Sequence, residues 1–131
     1  MLLQTVRPNI VQSIRAFHPG DLMLAAQDAN QHFLYVNLSQ AQSKQEVLEQ
    51  IAEAFLFPAH FGKNLDALHD CLTDLVHKSG QQHGFVVVLE QLPDHAKFDR
   101  EAREQLLDVF RDAAEFWSDR KVPFRCFYSF L

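Results

Sequence analysis

FVVVLE, residues 85–90, stays apolar from Phe85 to Leu89 without alternating. A strand with one wet face would alternate, so an unbroken run reads as a strand buried on both faces, the setting of a parallel sheet. Downstream, residues 99–119 place Leu106, Val109, Phe110 and Ala113 at the spacing of a long amphipathic helix. VPFRCFYSFL (122–131) then closes as a strand, with Pro123 near its start, where a missing N–H is tolerated. The stretch KSGQQHG (78–84) just before the central run reads as a loop.

Upstream the same alternation of periods continues. HFLYVNL (32–38) is aromatic and β-branched, the composition of a strand. Ser43 opens KQEVLEQIAEAFLF with Glu46 three residues on, a capping box, and Val47, Ile51, Ala54 and Phe55 fall on one face. VQSIRAF (11–17) predicts a short strand, HPGD (18–21) a turn with Asp21 as N-cap, and LMLAAQDAN (22–30) a short helix ending near Asn30. The order strand, helix, strand, helix, helix, strand, helix, strand implies crossover connections and a mainly parallel sheet covered by helices. The fold class is α/β.

At 131 residues the chain is long enough for one domain with a real core. Hydrophobic residues at 47% and charged residues at 22% set it apart from disordered chains. A formal net charge of −5 argues against nucleic acid or an anionic membrane as partner and for a basic one. Cys71 and Cys126 lie among leucines and phenylalanines and read as buried reduced thiols, not a disulfide framework. With no charged-then-apolar leader and no apolar run long enough to span a bilayer, the expected location is the cytoplasm.

Between these elements lies FGKNLDALHDCLTDL (61–75), a helix from near Asn64 with Leu65, Leu68, Leu72 and Leu75 on one side. Ala67, Cys71 and Val76 widen that stripe, and Asp66, His69, Asp70, Thr73, Asp74 and His77 lie opposite. Like charges one turn apart cost a helix a few tenths of a kcal/mol per pair, roughly. Three readings stand. A solvated outer surface is the simplest, and Asp66 in the first turn is favoured by the helix dipole, but Asp70 and Asp74 gain little from it. A metal or acid–base site could draw on His60, His69, His77, Asp66 and Asp70. The spacing, however, is wrong for the helical His-Glu-x-x-His motif, no glycine-rich phosphate loop is present, and neither Cys71 nor Ser79 sits in a nucleophile motif. The third reading is a protein-binding face whose fixed carboxylates match arginine and lysine side chains. Proteins that bind phosphate collect such cations, and an acidic helix can occupy their site in the phosphates' place.

FPAHFGKNLDALHDCLTDL (57–75) resembles the signature of the barstar family, intracellular inhibitors of small barnase-type ribonucleases. VVLE (87–90) resembles the family's second core strand and VFRDA (109–113) its last helix. The resemblance implies a three-stranded parallel sheet covered by helices over residues 32–131. Residues 1–31 are then an N-terminal extension packed on that core, with room for one extra strand and helix. It implies a non-enzymatic inhibitor, a monomer without metal or cofactor, that blocks the phosphate-binding site of a basic ribonuclease with an acidic helix and loop. The residue implied to enter that site is Asp70, and Asp66, Asn64, Thr73 and, on the last helix, Asp112 match further contact positions. His60 and His69 stand where the family has aromatic contacts, Lys63 takes an acidic position, and the loop 77–84 is longer. These departures keep a second expectation open: a non-inhibitory interaction module, or an immunity protein for a different toxin.

Overall fold

The computed structural model describes residues 2–15, 17–58, 62–74 and 83–131. Its strands are β1 (Ile10–Ser13), β2 (His32–Asn37), β3 (Phe85–Leu92) and β4 (Phe124–Phe130). Its helices are α1 (Pro19–Asp28), α2 (Lys44–Ala54), α3 (Leu65–Leu72) and α4 (Arg100–Asp119), preceded by a short 3-10 turn at Leu2–Thr5. The strands lie in the order β1-β4-β3-β2 and every pairing is parallel. The sheet therefore has four strands, not the three expected from the family resemblance. The fourth comes from the N-terminal segment, where β1 pairs Ile10 with Arg125 and Ser13 with Tyr128.

β3 is the centre of the sheet, as its sequence requires. Phe85, Val86, Val87, Val88 and Leu89 are all fully buried, because helices cover both faces. Odd positions of β3, with Leu34, Val36, Phe124 and Cys126, face α2, α3 and α4. Val86 and Val88, with Ile10, Phe33 and Phe127, face α1 and the N-terminal 3-10 turn. The burial of Cys126 pushes its thiol far above the usual range, which keeps it inert. At the strand entrances Gly84 has a φ of 157°, and a Cβ there would lie 2.8 Å from Gln31 Cδ and 3.0 Å from the Pro123 carbonyl. Only glycine lets the chain pass while its carbonyl accepts from His32 N at 2.9 Å.

Local chemistry explains the helix starts. Ser43 accepts from Glu46 N at 3.2 Å and Asp99 from Ala102 N at 3.0 Å, each satisfying an orphan donor. The first helix corrects the expectation for Asp21. It begins three residues earlier than expected, at Pro19, with His18 as an N-cap that makes no side-chain bond. Proline's fixed φ and missing N–H suit that first position, and Asp21 lies in the first turn, where the dipole favours it. β1 also stops sooner than 11–17, since Arg15 turns left-handed (φ 52°) and Phe17 leaves the sheet to pack edge-on against Phe127. Among the described residues no helix is long and apolar enough to cross a membrane.

Candidate protein-binding face

α3 is buried on one side and carries exposed aspartates on the other. Leu68 and Leu72 are completely buried against the sheet and α4, at roughly 1.5–3 kcal/mol each from burial. At its C-terminal end the Trp117 indole N–H donates to the Leu72 carbonyl at 3.0 Å, across 45 residues of sequence, which ties α3 to α4. The helix is shorter than the leucine spacing implied. It ends at Leu72, Thr73 caps it, and Asp74 lies in the following turn, its N–H donating to the Cys71 carbonyl at 3.2 Å. The column of carboxylates is thus two aspartates on the helix and one after it. Leu75, Val76 and His77 lie outside the described residues.

Asn64, expected as a contact residue, is committed to the loop. Its Oδ1 accepts from Ala67 N at 2.7 Å and its Nδ2 donates to the Gly62 carbonyl at 3.1 Å. The amide therefore caps α3 and fixes the turn from which the helix starts. Thr73 does the equivalent at the other end, its hydroxyl donating to the His69 carbonyl at 2.9 Å and lying 3.2 Å from that of Asp70. Between these caps Asp66 and Asp70 point to solvent, and the Asp70 side chain is 85% exposed. His69 is half-buried beside Asp70, with Nδ1 4.0 Å from its carboxylate. Among the described residues neither aspartate pairs with a lysine or arginine.

Five of the seven expected contact residues thus share one helix and its caps: Asn64, Asp66, His69, Asp70 and Thr73. Asp112 is exposed on α4, without an ion-pair partner among the described residues, one residue beyond an Arg111 already bound to Asp108 at 2.7 Å and Glu104 at 3.3 Å. His60 lies outside the described residues. Lys63, whose charge in the sequence stands beside the acidic face, bonds instead to Glu49 of α2 at 3.2 Å, which neutralises it. That partner is fourteen positions away, so no local pattern announces it. Nor does the sequence announce the Trp117 tie, although a lone tryptophan near a helix end is a signal for such an anchor.

Chemically the face presents Asp66 and Asp70 to solvent, and among the described residues neither is paired with a lysine or arginine. Among the described residues no group of three or more His, Cys, Asp or Glu side chains is placed to hold a metal ion. Its unpaired acids on a capped, anchored helix suit recognition of a cationic surface. Residues 31–129, from the eve of β2 to within β4, match the family model described as Barstar (barnase inhibitor). Carrying that match over three quarters of its length, with the acidic helix inside it, the chain belongs to the barstar family.

Proposed function

We propose that this protein binds a small basic ribonuclease and blocks its phosphate site with α3 and the loop before it, Asp70 entering where a phosphate would sit. The observation that carries the reading is the pair Asp66 and Asp70, outward on a helix whose other side is buried and which offers them no cation. Holding the carboxylates in place before the encounter lowers the ordering cost of binding, and their field speeds association with a basic partner. Asn64 and Thr73 contribute by fixing the ends of α3, with His69, Asp112 and His60 around the central contact. The protein is a plug and not an enzyme, acting as a cytoplasmic monomer without cofactor. Residues 1–31 are an extension packed on a unit formed by residues 32–131.

The test is RNA cleavage by a barnase-type ribonuclease with rising amounts of this protein, beside its Asp70→Ala variant. Inhibition saturating at one-to-one and lost in the variant supports the plug. Inhibition that survives Asp70→Ala removes Asp70 from the centre. A second reading keeps the face and changes its purpose, to an immunity protein for another basic toxin or a non-inhibitory module. His69 favours it: an imidazole stands half-buried beside Asp70 where the family has a larger aromatic ring. Under that reading the ribonuclease is untouched at every concentration.

A further inference from the structure

On the face of the sheet opposite α3, the N-terminal turn, the end of α1 and β4 surround a cavity of about 270 Å³. It is lined by Leu3, Gln4, Asp28, Ala29, Gln31 and Arg125. Gln4 and Asp28 are exposed and Ala29 and Gln31 half-buried, so the mouth is open, while Leu3 and Arg125, 4% and 8% exposed, form the bottom. The size falls just under the roughly 300–1,000 Å³ of drug-sized sites, which suits a ligand of a few heavy atoms.

Arg125 has more donors than the fold uses. Its Nε is spent on the Val6 carbonyl, at 3.1 Å, but Nη1 and Nη2 have no hydrogen-bond or ion-pair partner among the described residues. Unlike Gln31 Oε1, which is buried without a partner, they are not sealed from solvent. That free fork has the geometry to hold a carboxylate. Asp28, on the same cavity, is the last residue of α1, where the helix dipole disfavours an anion, so helix stability does not account for it. It too makes no ion pair among the described residues. A cation and a carboxylate thus line one small cavity without pairing with each other. A ligand of a single sign satisfies one of them and is repelled by the other, whereas a ligand with both signs on neighbouring atoms meets both. We infer that this cavity binds a small free α-amino acid, with its carboxylate on the Arg125 Nη pair, its ammonium toward Asp28 and the negative end of α1, and its short side chain on Leu3 and Ala29. The site shares no residue with the acidic face, so it does not depend on the ribonuclease reading.

The experiment is an NMR titration of the full chain with L-alanine, following the Arg125 Nε–H and the backbone amides of Ala29 and Gln31. The expected result is a saturable shift of these signals with a Kd of about 1 mM or tighter. Propionate, which lacks the ammonium, and ethylamine, which lacks the carboxylate, should each bind at least about tenfold more weakly. Asp28→Asn should weaken alanine at least about tenfold and leave propionate no weaker, a change of preference that lost packing does not produce. Arg125→Lys keeps the charge but loses the fork, and should abolish alanine binding. If that variant does not fold, the ligand series and Asp28→Asn still decide. The absence of a saturable shift with alanine, propionate binding as tightly as alanine, or parental alanine affinity in Asp28→Asn would each overturn the site. Asp70→Ala should bind alanine as the parent does, which separates failure here from failure of the proposed inhibition.

Discussion

Leu68 and Leu72 on one side of the sheet and Leu22 and Ala26 on the other are all buried to the last few per cent, yet the two layers handle charge in opposite ways. The layer of α2, α3 and α4 keeps its core free of charge and sets Asp66, Asp70 and Asp112 outside. The layer of α1 and the N-terminal turn has a charge within it: Arg125 projects from near the start of β4 and is only 8% exposed. Its Nε donates to the Val6 carbonyl at 3.1 Å, and among the described residues no carboxylate pairs with it. Burial pulls its pKa down, the expected effect of taking an unpaired cation from water. A charge kept outside a rigid layer costs little and remains available to a partner. A charge kept inside is spent on architecture, here on holding the N-terminal turn against the sheet.

The most severe way to break this comparison is to remove the second layer. Deleting residues 1–31 takes away the burial of Leu3 and Leu22 and uncovers Val86, Val88 and Phe127, and is expected to cost about 5 kcal/mol or more. Urea unfolding and gel filtration check it. A truncated chain that is monomeric with the parental midpoint would reduce the layer to decoration. Next comes Phe85→Ala in the first layer, where the ring lies 5.0 Å from Trp117 and 6.2 Å from Phe124. The vacancy should cost about 3–5 kcal/mol in the same unfolding measurement.

Asn64→Ala acts at the junction of core and face. Losing the cap should cost about 1 kcal/mol and loosen the start of α3, so that any affinity for a partner falls with it. Asn64→Asp, which retains an acceptor, should restore most of that stability.

His32 offers a finer probe through pH. Burial beside Phe85, ring to ring at 6.3 Å, lowers its pKa below the usual 6.5, so the unfolded chain takes up a proton before the folded one does. Stability should therefore fall as pH drops through and below 6.5. The His32→Phe variant should show a smaller fall between pH 7.5 and 5.5 by urea midpoint. An identical fall would place the titration elsewhere.

The smallest effect on stability is expected at the residue proposed to matter most for binding. Asp70→Ala should leave stability within about 0.5 kcal/mol, because the side chain is 85% exposed. Its loss of inhibition should exceed that of Asp74→Ala by at least about tenfold. Equal losses would spread the contact over the whole turn and remove the phosphate-mimic assignment.

Where the sequence could be read, the signals were local. Ser43 with Glu46, the leucines of α3 and the unbroken run of β3 act within a few residues, and each element formed where its pattern placed it. Boundaries differ where a second local rule competes with the periodic pattern. Pro19 at a first helical position starts α1 before Asp21, and Thr73 bonding back to His69 ends α3 before Leu75. The candidate face was visible as residue types, but not as roles: Asn64 and Thr73 serve as caps, and Lys63 turns to Glu49.

The sequence by itself determined the order of strands and helices, the buried nature of β3 and the acidity of α3, because hydrophobic period, caps and charge are written residue by residue. Only the tertiary structure decided that Ile10 pairs with Arg125, that the sheet runs β1-β4-β3-β2, and that Trp117 fastens the end of α3. The Ile10 and Trp117 contacts join residues 115 and 45 positions apart, and their free energy exists only once the layers have packed.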